Sequence, residues 1–307
     1  MDSEYGLLEK LCSISAPSSD ESRLSNFIVE YVEKYRFSWR HKPKVICGED
    51  YQDCVMLVWG NPRTAIVAHL DSVGFMVGYN NQLIPIGSPR CEDGTELVGF
   101  QGGKDVSCTF RCLSDGTMTF ESSEELERGT ILTYKPNFRE DDEFIVSPFL
   151  DDRVGVYIAL RLAHSMKNGA IIFTTGEETG AGNVKFCWRY LYKMYHIHNA
   201  LISDITWITE GIEYGKGCVV SMKDTNLPRR SYVEKILAVA KRENIAIQRE
   251  IESAGGSDGA SLQKIPYAVN WCFVGAAQEL PHSPNEKICK SDVDSMYLLY
   301  KELMEYL

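Results

Sequence analysis

Residues 148–180 read PFLDDRVGVYIALRLAHSMKNGAIIFTTGEETG. DDRVGVYIALRLAHSMKNG is a helix ending near Gly169, and AIIFTTGEE is an apolar run of strand length. The alternation continues to the end of the chain. VKFCWRYLYKMY reads as a helix, NALISDIT and GCVVSMKD as strands, and RRSYVEKILAVAKREN as a helix. AIQREIES and YAVNWCFVG read as strands, and SDVDSMYLLYKELMEYL as a closing amphipathic helix. Alternating β and α units predict an α/β fold, a mostly parallel sheet with helices on both faces. Such a sheet collects its chemistry beyond the C-terminal ends of its strands.

Upstream, SAPSSDESRLSNFIVEYVEKY predicts an amphipathic helix with Ser18, Ser19 or Asp20 as its cap. KVICGEDYQDCVMLVWG predicts a hairpin turning at Gly48-Glu49-Asp50, and TAIVAHLDSVGFMVGYN a strand. From residue 73 to 147 the texture changes. QLIPIGS, TELVGFQ, DVSCTFRCL, GTMTFESS, GTILTYKP and DEFIVSP are short β-like pieces separated by Gly, Asp-Gly and Pro, with no helical pattern. The expected organisation is a catalytic α/β domain of residues 1–72 and 148–307, interrupted by a small all-β, barrel-like insertion of residues 73–147.

The 307 residues suffice for one large domain or a core with a smaller module attached. A net charge of −11 argues against a nucleic-acid partner, whose surface calls for a basic excess. MDSEYGLLEKLCS lacks the apolar core of a signal peptide, and no run approaches a membrane span. The ten cysteines include no CxxC pair, so reduced, mostly buried thiols in a cytoplasmic protein are expected. Cys108 and Cys112 alone make a weak metal half-site.

Acids and histidines stand at the ends of apolar runs: His69 in AIVAHLD, Asp151 in SPFLDDRVG, Glu177 and Glu178 in IIFTTGEETG, and Asp204 in ALISDIT. His282 lies in the Pro-flanked loop ELPHSPNE. Such groups are disfavoured at the ends of buried strands unless something there requires them. Two histidines and several carboxylates on one sheet edge suit a pair of divalent metals and metal-assisted hydrolysis. Each residue alone has a plainer reading. Asp71, two residues after His69, could hold its ring or merely end a strand. Asp151 and Asp152 could cap a helix; in the metal reading Asp151 is the ligand, with Asp152 and Arg153 as its structural support. Of the adjacent glutamates, one could bind metal and the other take the proton of a water, or both could be a solvated loop. Their joint order and strand-end placement favour the metal reading. His196 and His198 read as a solvated loop. Ser257 and Asp258 in SAGGSDGAS read as a turn rather than a nucleophile, and no Gly-x-Ser-x-Gly elbow is present.

HLDSVGFMV, FLDDRVG, GEETGAGN, the Asp of SDIT, YGKGCVV, GGSDGAS and PHSPNEKI fall in the order of the motifs of the tetrahedral aminopeptidase family, which the chain resembles from about Leu8 to its end. That family comprises glutamyl and deblocking aminopeptidases, often named endoglucanases, within the clan of dinuclear-metal exopeptidases. The resemblance implies a phosphorylase/hydrolase-like catalytic domain and two divalent metals per subunit. These would be zinc or cobalt, with manganese able to share the ligands. His69 and Asp204 would hold one metal and Glu178 and His282 the other, with Asp151 bridging. Glu177 would be general base and then acid, and Asp71 would orient His69. The Asp151–Asp152 peptide would be cis. The implied activity is removal of the N-terminal residue of peptides through a metal-bridging hydroxide. A deacylase of small N-acyl amino acids could use the same metals, and an idle scaffold or binding protein could keep the fold alone. The insertion would serve homo-oligomers, from dimers to dodecameric shells, although it looks shorter than is typical. Ser72 stands where relatives often carry Glu.

Overall fold

A computed structural model describes residues 4–180 and 182–307. The chain runs through α1 (Gly6–Cys12), α2 (Ser22–Tyr35), β1 (Lys44–Ile46), β2 (Val55–Trp59) and β3 (Thr64–His69). It then forms β4 (Gly74–Val77), β5 (Leu83–Ile86), β6 (Glu96–Gln101), β7 (Lys104–Cys112), β8 (Met118–Glu121) and β9 (Ile131–Tyr134). Next come β10 (Arg139–Glu140), β11 (Phe144–Ser147), α3 (Leu150–Ala163), β12 (Gly169–Thr174), α4 (Val184–Tyr195) and β13 (Asn199–Trp207). The last third holds β14 (Cys218–Lys223), α5 (Arg230–Arg242), β15 (Ile247–Ile251), α6 (Asp258–Leu262), β16 (Asn270–Glu279), β17 (Glu286–Cys289) and α7 (Lys290–Tyr306).

Side chains alternate across a strand, so a sheet buried on both faces needs apolar residues at every position. The chain meets that requirement. Val55, Leu57, Ile66, Ala68, Ile171 and Phe173 enter a core shared with α1, α2, α3, α5 and α7. Met56, Val58, Ala65, Val67, Ala170 and Ile172 enter a second core under α4 and α6, around Trp188. The large sheet has eleven strands, nine in the path β1-β2-β12-β3-β13-β16-β17-β11-β10, with β14 attached to β16 and β15 to β14. Strands β12, β3, β13 and β16 run parallel, as the α/β alternation predicts. Antiparallel pairs flank them, so the sheet as a whole is mixed.

TAIVAHLDSVGFMVGYN is not one strand. β3 stops at His69, and β4 belongs to a separate six-stranded antiparallel sheet, β5-β4-β9-β6-β7-β8. The break is fixed by the N-terminal segment. Ser72 N–H donates to Ala16 O at 3.0 Å, and Ser18 N–H donates to Ser72 O at 3.1 Å. A Cβ at Gly74 would lie 2.7 Å from Leu132 O, so only glycine lets β4 cross β9 here. Val73, Phe75, Leu97, Phe110, Leu132 and Tyr134 fill this sheet's own core, and Phe149 enters it from the chain returning to the large sheet. The sheet is barrel-like, with Thr119 of β8 donating to Asn81 O beside β5 at 2.8 Å. Phe144–Ser147, read above as the last piece of the insertion, pairs with β17 in the large sheet. No described helix is long and apolar enough to cross a membrane.

Candidate metal centre

The parallel strands set the positions. β3 ends on His69, and Leu70 N–H bonds to Thr174 O of β12 at 2.7 Å, so the two strands stop together. After β12 the chain turns at Gly176 (φ +73°) and delivers Glu177 and Glu178 over the end of β3. Asp204 was expected to close its strand, but β13 continues to Trp207. Its pairing with β3 stops at Ile202, so Asp204 lies past the last paired residue, level with His69, rather than at a strand end. The Asp151–Asp152 peptide is cis and neither residue has helical dihedrals; Asp152 takes the place of an N-cap, its carboxylate accepting from Gly155 N–H, while Asp151 is left free to face the cavity. A Cβ at Gly155 would lie 2.1 Å from Ser203 O and would meet the Asp152 carboxylate, so glycine brings α3 against β13. His282 comes from the loop between β16 and β17, at φ +60°.

These residues converge into two groups that share Asp151. His69, Asp151 and Asp204 form one, and Asp151, Glu178 and His282 the other, with candidate ligand atoms in each group within 4.8 Å of one another. His69 Nε2 lies 3.0 Å from Asp151 Oδ1 and 3.8 Å from Asp204 Oδ1. His282 Nε2 lies 3.5 Å from Asp151 Oδ2 and 3.3 Å from Glu178 Oε2. Ligands about 2.1 Å from a tetrahedral ion stand roughly 3.4 Å apart, so the observed spacings bracket what a divalent metal needs. Each Asp151 oxygen faces a different group, which is the arrangement of a bridge.

The electrostatics agree with this donor chemistry. Burial, and then the charge of Asp151, pushes Asp204 up to about 8. Burial also pushes Glu177 and Glu178 well above the ordinary carboxylate range. Asp151 goes the other way: against burial, hydrogen bonds from His282 and His69 hold it well down. Burial opposes charge on His69, but hydrogen bonds to Asp151 and Asp71 outweigh it and raise the ring's pKa. Among the described residues no arginine or lysine forms an ion pair with Asp151, Glu177, Glu178 or Asp204. Arg153, fully buried, turns its guanidinium to the carbonyls of Leu70 and Ile14. The cavity therefore gathers more carboxylates than its side chains keep ionised, and a divalent cation would reverse that balance.

Supporting residues hold several of the candidate ligands. His69 Nδ1 lies 3.1 Å from Asp71 O and 3.6 Å from its carboxylate, leaving Nε2 toward the acids. The Asp71 carboxylate accepts from Glu177 N–H and Glu178 N–H, both at 3.0 Å, and from Ser18 Oγ at 2.7 Å. Asp152 accepts from His69 N–H at 3.1 Å and Gly155 N–H at 2.9 Å. The sequence reading missed four supports. Ser18 and Glu21 lie where a helix cap was expected, yet α2 has no side-chain cap. Their side chains serve Asp71 and Gly176 N–H instead. Glu286 accepts from Asp151 N–H at 3.0 Å, and the only hint was its place in PHSPNEKI. Ser88 Oγ lies 2.7 Å from His282 Nδ1. The second sheet also holds the His282 backbone, since Tyr134 Oη and Arg90 N–H donate to His282 O at 2.7 and 2.8 Å. Orientation of a ligating imidazole commonly sets metal affinity within about 10–100-fold. Ser88→Ala is accordingly expected to weaken binding of one metal about tenfold and leave the other unchanged, as titration with zinc into the chelated protein would read.

Other candidates stay apart. His198 Nδ1 lies 2.9 Å from Ala268 O, outside the site. Cys108 lies in the core of the second sheet while Cys112 is exposed, and all ten cysteines are free. Ser257 accepts from Gly259 N–H as the cap of α6, and the buried Asp258 accepts from Thr174 Oγ1. GEETGAGN is described except for Ala181. Among the described residues no side chain hydrogen-bonds the Glu177 carboxylate, although it lines the same cavity as the ligands, of about 370 Å³.

The family of M42 glutamyl aminopeptidases matches residues 115–299, more than half of the chain. The fold resembles an aminopeptidase of the archaeon Desulfurococcus kamchatkensis, with 18% identity, a TM-score of 0.85, and 98% of this chain and 94% of that one covered. A TET aminopeptidase of a marine-sediment thaumarchaeon is similar at 17% identity and TM-score 0.86, over 98% of this chain and 95% of that one. The TET1 peptidase of Pyrococcus horikoshii, which can assemble into a tetrahedron or a large octahedral shell, is similar at 17% identity and TM-score 0.81, over 97% and 98% of the two chains.

Proposed function

The chain belongs to the M42 glutamyl aminopeptidase family, and we propose that it is a two-metal aminopeptidase. Peptide hydrolysis comes with the family; the metals and the residue roles are our reading. The observation that carries it is Asp151, whose two oxygens divide between two His-and-carboxylate groups beside an uncommitted Glu177. His69 and Asp204 would hold one ion, Glu178 and His282 the other, and Asp151 both, with zinc, cobalt or manganese compatible with the N and O donors. Divalent ions, if held there, would supply a lowered pKa for a water and polarisation of the scissile carbonyl. Glu177 accepts the water's proton and returns it to the amine nitrogen as the C–N bond breaks. Asp71 holds the Glu177–Glu178 backbone and the His69 ring, so acid, base and ligands keep one geometry.

A homo-oligomer belongs to the same proposal. The Pyrococcus horikoshii relative assembles into closed shells, and Met76, Tyr79, Ile84, Phe100 and Leu113 expose apolar surface on the second sheet and its loops. Free cysteines, most of them buried, suit a reducing cytoplasm.

The test is hydrolysis of aminoacyl-p-nitroanilides and their N-acetylated counterparts, after chelation and again after adding zinc or cobalt. Chelation is expected to abolish cleavage, and metal to restore it on free-amine substrates only. Cleavage of blocked substrates alone would replace the reading by the deacylase, and full activity after complete chelation would remove the metals from it.

A further inference from the structure

The cavity that holds the ligand set continues past it, and its far wall is acidic. Asp224, Glu250 and Glu252 line it together with the apolar side chains of Ile205, Trp207 and Phe273. Among the described residues no lysine or arginine lines this space. Alternation along β15 buries Glu250 and turns Arg249 and Ile251 outward. Glu250 is only 4% exposed, with Thr206 Oγ1 donating to it from β13. Glu252 accepts from Thr209 Oγ1 at 2.6 Å, and Asp224 accepts from Asn226 N–H. These are neutral partners. The adjacent cation, Lys223, spends its ammonium on the main-chain carbonyls of Asp224 (2.7 Å) and Glu252 (3.0 Å). Among the described residues it makes no ion pair with a carboxylate. Burial raises Glu250 and Asp224 above the ordinary carboxylate range, in Asp224 against the lowering effect of its neighbour Lys223.

We propose that this wall selects peptides whose first residue is lysine or arginine; the inference rests on the aminopeptidase reading above. A long side chain leaving the reacting end passes Ile205, Trp207 and Phe273 with its methylenes and reaches the carboxylates with its cation. An acidic first residue meets a wall of carboxylates with no cation to pair with, so the glutamyl preference in the family's name is not expected of this chain. Carboxylates already held by hydroxyl and amide donors are fixed before the substrate arrives, which favours discrimination over adaptation.

The metal-loaded enzyme is assayed on lysyl-, arginyl-, leucyl- and glutamyl-p-nitroanilide. Lysyl and arginyl substrates are expected to exceed glutamyl in kcat/KM by at least about a hundredfold, and leucyl by about tenfold. Glu250→Gln is expected to lower the lysyl-to-leucyl ratio about tenfold. A second measurement uses only the parent protein. Lysinamide should inhibit leucyl-p-nitroanilide hydrolysis at least about tenfold more tightly than norleucinamide, which has the same stem without the cation. Equal losses on lysyl, leucyl and glutamyl substrates in Glu250→Gln would assign the wall to the α-amino group and overturn the proposal. So would faster cleavage of leucyl or glutamyl substrates by the parent. Silence on every aminoacyl substrate would instead overturn the aminopeptidase reading beneath it.

Discussion

Glu177→Gln is expected to keep its fold and its metals while kcat on an aminoacyl substrate falls about a thousandfold, within the range general acid–base groups supply. Glutamine matches glutamate in shape, and its N–H to Asp71 is a main-chain bond that the substitution leaves in place. What it lacks is the ability to take a proton. Because no described side chain bonds the Glu177 carboxylate, removing its charge breaks no hydrogen bond to a described side chain, and KM is expected to change little. Steady-state kinetics with metal analysis of the same sample decides the matter. Turnover within a few fold of the parent would remove Glu177 from the mechanism, and loss of metal along with turnover would make it a ligand instead.

Asp151→Asn is the second large effect. Two dications about 4 Å apart repel by on the order of 16 kcal/mol at an effective dielectric of 20, so a shared anion is a condition for holding both. Asparagine removes that charge and offers a hydrogen-bond donor to one of the two groups that Asp151 now serves. Metal content is expected to fall from two ions per chain to one or fewer, and activity to below about 1% even in excess zinc. The main-chain bond from residue 151 to Glu286 is untouched, so circular dichroism should match the parent. Two tightly bound ions in the variant would show that Asp151 is not the bridge.

Much of this protein could be read along the chain. The helices at Val184–Tyr195 and Arg230–Arg242 and the strands from Gly169 to Glu279 follow from apolar periodicity, because buried positions on one element recur at a fixed spacing. The residue types of the site were equally plain, since a histidine or an acid at the end of an apolar run is costly without a purpose. Other features gave no such signal. Ser18 looks like a helix cap, and only the packing of residues 16–18 against Ser72 turns it toward Asp71. Glu286 stands in a short strand that no periodic pattern announces. Asp204 looked terminal because its apolar run ends there, whereas its strand continues against β16.

By itself, then, the sequence determined the layers, the second all-β unit and the inventory of nitrogen and oxygen donors, because those depend on local spacing and on the cost of burying a polar group. The tertiary structure alone decided which donors meet. Convergence of His69, Asp151, Glu178, Asp204 and His282 depends on strand order and on where each strand stops. The hold of the second sheet on His282, and the acidic wall opposite the ligands, likewise depend on which surfaces long-range packing brings face to face.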